Sequence, residues 1–105
     1  MNDEQREDQG EPEYYGNVTI LQLETYPQFE ALSTNNVEVT FKDSLGYEHN
    51  NFYLTNANGQ IEGGGVYTTL LLALLNNKFV TLKTNGFVGS HNERYITGVI
   101  ITYNA

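Results

Sequence analysis

The stretch from Gly63 to Thr84, GGGVYTTLLLALLNNKFVTLKT, constrains the fold more than any other part of this chain. Leucine and alanine dominate its residues 66–75, and this composition favours a helix over a strand. A helix of about three turns is ordinary for a globular protein and is much shorter than a membrane span. Because apolar residues occur on nearly every face, the pattern predicts a helix buried on most sides, around which the other segments must wrap.

Segments of alternating apolar and polar residues lie before and after this helix. The clearest is VEVTF at residues 37–41, and further strands are predicted at 18–25, 51–55, 79–84 and 95–103. Pro27 cannot donate to a ladder, so Tyr26-Pro27 predicts a bend after the first strand. The order of the elements predicts an α+β, mainly β fold: a small OB-type Greek-key barrel of five or six antiparallel strands with one buried helix.

The length of 105 residues predicts one folded domain. Residues 1–13 carry six acidic residues and one arginine, with no apolar residue after Met1. Such a segment cannot offset the entropy lost on ordering, so it is predicted to be a disordered acidic tail. The OB-like domain is then expected to span residues 14–105.

The charge of the chain bears on its partners and its compartment. A net charge of −8 argues against nucleic acid and against insertion into anionic membranes. The chain has no cysteine, which excludes disulfides and thiolate chemistry. No signal peptide is visible after Met1. The sequence therefore leaves two possibilities, a cytoplasmic protein or the mature form of a secreted or periplasmic one.

No constellation of residues predicts catalysis or a metal site. Each histidine, His49 and His91, lies in a polar loop with a serine and an acidic residue, but neither set has the spacing of a known triad. Zinc needs more clustered imidazole or thiolate ligands, and residues 56–62 offer too few carboxylates for calcium. We therefore expect a protein that is not an enzyme and has no cofactor.

Three fragments carry a resemblance that covers most of residues 14–103. They are LETYPQF at 23–29, the leucine-rich helix that leads directly into KFVTLK at 78–83, and YITGVII at 95–101. Together with the element order, these fragments resemble the small OB domains of bacterial toxin B subunits, such as the subtilase cytotoxin B subunit and the typhoid- and pertussis-like binding subunits. The usual disulfide of those subunits has no counterpart here, because cysteine is absent.

The resemblance implies a secreted homo-oligomer, with a pentamer favoured, that binds a cell-surface glycan and can assemble with an enzymatic A subunit. In those toxin subunits, a serine at the bend after the first strand contacts the sugar. Tyr26 stands at the matching position here, next to the hydroxyl of Thr25. The candidate glycan-binding residues are Thr25, Tyr26 and Gln28 at this position, together with Tyr47 and Tyr53 in or near polar loops, which are expected to supply stacking and hydrogen bonds to a sugar.

The tyrosines also fit a second hypothesis of a different class. In it, the chain is a structural or assembly protein that oligomerises without a small-molecule site, and its tyrosines lie in subunit interfaces, where such amphipathic rings are common. Binding to a glycan array supports the first hypothesis, whereas a blank array with a stable oligomer supports the second.

Overall fold

The computed structural model describes residues 11–29, 33–54 and 64–103. Within these ranges the elements are β1 (Glu13–Phe29), β2 (Ser33–Lys42), β3 (Glu48–Tyr53), α1 (Gly64–Asn76), β4 (Phe79–Thr84) and β5 (Arg94–Ile101). The five strands in the described residues form a closed barrel in the order β1-β2-β3-β5-β4. The prediction of a mainly β fold with one helix is therefore confirmed for this part of the chain.

One pair of strands differs from the predicted all-antiparallel sheet. Strands β3 and β5 are parallel, with Phe52 opposite Arg94 and Tyr53 opposite Tyr95, while the other four pairs are antiparallel. A closed ring with an odd number of strands cannot alternate direction all the way round, so at least one parallel pair is unavoidable. The segment containing α1 supplies the long crossover that a parallel connection requires.

Strand β1 is long because it pairs with two neighbours in succession. Its first part, Glu13–Thr19, pairs with β4, and its part from Thr19 to Phe29 pairs with β2. The predicted bend at Tyr26-Pro27 is wrong, because β1 continues through both residues. Among the described residues no strand pairs with β1 beyond Thr19 on the side away from β2, and an edge position of this kind tolerates a proline.

The start of β1 also changes the predicted domain boundary. Glu13, which the sequence analysis placed in the acidic tail, is the first residue of β1 and lies opposite Thr84. Residues 1–10 of the predicted tail lie outside the described residues.

The core lies inside the barrel and under α1. The predicted alternation of VEVTF is confirmed: Val37, Val39 and Phe41 are buried, whereas Glu38 and Thr40 are half-buried. The other buried apolar residues come from every strand and from the helix, and they are Val18, Ile20, Phe52, Leu54, Leu70, Ala73, Val80, Leu82 and Ile96.

Helix α1 is buried on one face only, so the predicted burial on most sides is wrong. Leu70 and Ala73 are 0% and 1% exposed, whereas Leu72 and Leu75 are 50% and 70% exposed. The helix packs on the barrel through contacts with β1 and β5, and one barrel can cover only one side of a helix. The helix ends at Asn76, and Asn77 follows it in the left-handed conformation with a φ of 57°.

Candidate functional site

The barrel carries an open concavity of about 510 Å³ on its outer surface, across β2, β1 and β4. The strand register builds it, because Thr19 of β1 lies opposite Lys42 of β2 on one side and opposite Phe79 of β4 on the other. An ammonium group, a hydroxyl and an aromatic ring thus share one row. The lining residues are Asn17, Thr19, Lys42, Asp43, Ser44, Gly46 and Phe79.

Phe79 is the apolar part of this concavity. Val80, Leu82 and Thr84 point into the barrel, so strand alternation directs Phe79 outward, where it is 58% exposed. The strand pattern at 79–84 predicts Phe79 at the start of a strand, but Phe79 is not among the site residues predicted from the sequence. The available signal was its position next to Val80, the first inward residue of β4.

Backbone irregularities shape both ends of the concavity. Asn17 has a φ of 53° and lies where the β1–β4 register shifts between Tyr15 and Val18. Gly46 has a φ of 96° in the turn between β2 and β3, and open space surrounds the position of a Cβ there. Asparagine and glycine are the residues that adopt such left-handed conformations most readily. Gly46 lets the chain turn without a side chain entering the concavity, whereas the side chain of Asn17 lines it.

The turn from Asp43 to Tyr47 forms one wall and is closed by its own hydrogen bonds. The Asp43 N–H donates to the Tyr47 carbonyl at 2.8 Å, and the Gly46 N–H donates to the Asp43 carbonyl at 3.0 Å. The Asp43 Oδ1 atom accepts from the N–H groups of Leu45 and Tyr47, each at 2.9 Å. The carboxylate of Asp43 therefore substitutes for a backbone acceptor inside the turn.

The second oxygen of Asp43 binds a histidine on β3. His49 Nε2 lies 2.8 Å from Asp43 Oδ2. This hydrogen bond, followed by those from the Tyr47 and Leu45 amides, lowers the pKa of Asp43. Asp43 is consequently ionised at neutral pH and only accepts hydrogen bonds, so Nε2 carries the proton and donates it.

Among the glycan-binding residues proposed from the sequence, Thr25, Tyr47 and Tyr53 lie on different parts of the barrel. Exposed Thr25 lies opposite Val37, whereas Tyr47, 66% exposed, lies in the turn beyond the far end of β2. Tyr26 and Gln28 belong to β1, but their side chains lie outside the described part of the structure. Of these residues, Tyr47 is the one whose backbone belongs to a turn that lines the concavity.

Tyr53 lies away from the concavity, in a group of aromatic side chains on the outside of β3 and β5. Its ring centroid is 6.5 Å from that of Tyr95, which stacks on Phe87 at 5.9 Å and 13°. Burial, together with the charges of nearby glutamates, raises the pKa of Tyr53. Burial and the adjacent Glu93 carboxylate raise the pKa of Tyr95 to about 12. The Tyr95 hydroxyl donates to the Glu93 carboxylate at 3.2 Å, which helps to hold the ring of Tyr95 in place.

Neither histidine completes a Ser-His-acid arrangement. His91 is exposed in a loop as predicted, but the predicted loop position of His49 is wrong, because β3 begins at Glu48 and His49 is half-buried on it. His49 Nε2 bonds to Asp43 and not to Ser44, and Ser90 Oγ lies 3.4 Å from Nδ1 of exposed His91. The Glu93 carboxylate accepts from the backbone N–H of His91 instead of orienting its ring. The described ranges contain no group of three or more potential metal ligands among His, Cys, Asp and Glu.

Comparison with known proteins adds no family to these observations. No protein-family model matches the chain, and a search of curated proteins finds no similar sequence. In the part of the chain that the structure describes, no helix has the length and apolar character needed to cross a bilayer.

Proposed function

We propose that this chain is a non-catalytic glycan-binding subunit of a secreted bacterial toxin-like complex, and that the concavity across β2, β1 and β4 holds the sugar. The strand order 1-2-3-5-4, the parallel β3–β5 pair and a helix between β3 and β4 support an OB-type barrel. Barrels of this type bind oligonucleotides or oligosaccharides. The net charge of −8 favours the sugar, because phosphate backbones require a basic surface.

The observation that carries the proposal is the row of Lys42, Thr19 and Phe79 in a concavity of about 510 Å³. A volume of several hundred Å³ matches small-molecule sites in general. A pyranose ring has an apolar face, which suits the exposed ring of Phe79, and hydroxyl groups, which suit the polar side chains beside it. The amide of Asn17 and the hydroxyls of Thr19 and Ser44 supply donors and acceptors at the edge of that ring.

The first prediction concerns Phe79. Replacing Phe79 with alanine is expected to weaken glycan binding by about tenfold or more, because apolar contact with one aromatic side chain contributes about 1.5–3 kcal/mol. Folding is expected to be unaffected, since Phe79 is 58% exposed. The measurement is a glycan array, followed by calorimetric titration of the strongest hit against both proteins.

Tyr103→Ala is the matched control, because Tyr103 is an exposed aromatic residue that does not line the concavity. It should retain the affinity of the parent protein. If Tyr47→Ala abolished glycan binding and Phe79→Ala left it intact, the binding site would lie at the β2–β3 turn and not at Phe79. A reproducibly blank array would contradict glycan binding itself.

The alternative is an assembly role without a small-molecule site, and the exposed face of α1 supports it. A ring-shaped toxin subunit also needs an exposed apolar face through which its copies can associate. Leu72 and Leu75 lie on one helix face and are 50% and 70% exposed. Apolar surface of this kind often marks an interface, and closed symmetric rings are a common way of burying it. A homo-oligomer is compatible with both the glycan-binding subunit and the assembly protein. Binding of an enzymatic A subunit is expected only for the toxin-like ring.

The second prediction is that the protein forms a homo-oligomer, with a pentamer favoured over a dimer. Replacing Leu72 and Leu75 together with glutamate should shift it to the monomer mass, because charge repulsion and lost apolar burial then oppose assembly. Light scattering at micromolar concentration measures this shift. Leu45→Glu is the control, since Leu45 is an exposed leucine on the β2–β3 turn. A monomer mass for the parent protein would rule out the ring.

A further inference from the structure

We infer that His49 is a positioning residue: through Asp43 it holds the β2–β3 turn in the conformation that makes one wall of the concavity. The inference about ligand affinity rests on the proposed function, whereas the inference about the turn does not. Asp43, Ser44 and Gly46 line the concavity, and His49 itself does not. Asp43 both lines the concavity and binds His49, so its carboxylate is the direct link between His49 and the concavity.

His49 links this turn to the interior of the barrel. Its ring stacks on Phe41, which is fully buried, with centroids 5.0 Å apart and planes 17° from parallel. The rings of Tyr15 and Phe52 approach its edges, each at 6.3 Å. Rings from β1, β2 and β3 thus restrict the orientation of the imidazole, and its Nε2 points toward the turn. The hydrogen bond to Asp43 therefore orders a side chain that is already largely held in place.

The carboxylate of Asp43 transmits this constraint because it makes three hydrogen bonds at once. One oxygen accepts from His49 and the other accepts from the amides of Leu45 and Tyr47. If the bond to His49 is lost, the carboxylate can rotate and its bonds to both amides weaken. Preorganised walls of this kind raise affinity by reducing the ordering that a ligand must otherwise impose.

Among the charged groups near His49, Asp43 is the one that binds its imidazole directly. Asp43 approaches from the turn, while Tyr15 from β1 directs its hydroxyl to Glu13 at 3.0 Å. Glu13 in turn pairs with Arg94 of β5 at 3.3 Å. Lys42 of β2 lies opposite Glu48, the residue before His49 on β3. The carboxylate of Glu13 is thus committed to other donors, and Asp43 is the acceptor that His49 contacts.

Two substitutions separate the hydrogen bond from the packing of the ring. His49→Phe keeps an aromatic ring on Phe41 but has no donor, whereas His49→Gln restores an N–H donor without the ring. His91→Phe is the matched control, because His91 is exposed and distant in sequence from the turn. All three are compared with the parent protein by thermal unfolding, to establish that each one folds.

The first readout needs no ligand. In His49→Phe, the carboxyl group of Asp43, followed by the NMR chemical shift of its carbon, should titrate at a higher pH than in the parent. The reason is that the hydrogen bond from His49 is the largest cause of the lowered pKa of Asp43. Amide exchange of Leu45 and Tyr47 should accelerate about tenfold, as expected for the loss of one hydrogen bond that holds the turn. His49→Gln should restore much of both properties, and His91→Phe should change neither.

The second readout is affinity for the strongest glycan on the array. His49→Phe should weaken it about tenfold, and His49→Gln should recover part of the loss. The inference would be overturned if His49→Phe folds but keeps the parent's Asp43 pKa and the parent's amide exchange rates at Leu45 and Tyr47. This holds whether or not the glycan binds. A blank array together with the expected loosening of the turn would contradict the proposed function and still support the role of His49 in the turn.

Discussion

Replacing Leu70 with alanine is expected to lower the free energy of unfolding by about 2–5 kcal/mol, the cost of removing a large side chain from a packed core. Leu70 is fully buried between α1 and the barrel. A domain of this size is stabilised by only about 5–15 kcal/mol, so the substitution removes a large share of that stability. Urea unfolding followed by circular dichroism measures the loss.

Leu75→Ala is the matched control on the same helix. Leu75 is 70% exposed in the single chain, so its replacement should change the stability of the monomer by no more than about 0.5 kcal/mol. The comparison is made at concentrations below any assembly, because burial of Leu75 in an oligomer would increase its contribution. Equal losses for the two variants would contradict the packing of α1 through one face.

Replacing Glu13 with alanine is expected to cost about 1–3 kcal/mol, because it leaves a buried hydroxyl without its acceptor. Glu13 Oε1 accepts from Tyr15 Oη at 3.0 Å, from Thr84 Oγ1 at 3.1 Å and from Arg94 Nε at 3.3 Å. Thr84 is fully buried. These bonds join β1 to β4 and β5 where the barrel closes, and the measurement is again chemical unfolding.

A double-mutant cycle tests the cause of this loss. In a Thr84→Val background the hydroxyl is gone, so Glu13→Ala should cost clearly less than it does in the parent. Glu11→Ala, two residues earlier at an exposed position, serves as the control and should be close to neutral. An equal cost of Glu13→Ala in both backgrounds would show that Thr84 is not the group that needs the carboxylate.

The sequence by itself determined the local elements. Leucine-rich character at 66–75 located the helix, and period-two alternation located β4 and the inward residues Val37, Val39 and Phe41. These signals are readable because helix and strand periods depend on side chains only a few residues apart.

Tertiary structure alone decided how those elements meet. The parallel β3–β5 pair follows from closing a ring of five strands, and the exposed face of α1 follows from packing on a single barrel. The candidate site combines Asn17, Lys42 and Phe79, which are distant in sequence and become neighbours only through the register of three strands. Register and burial are set by contacts between remote segments, and a local pattern of residues carries no information about which remote segment it will meet.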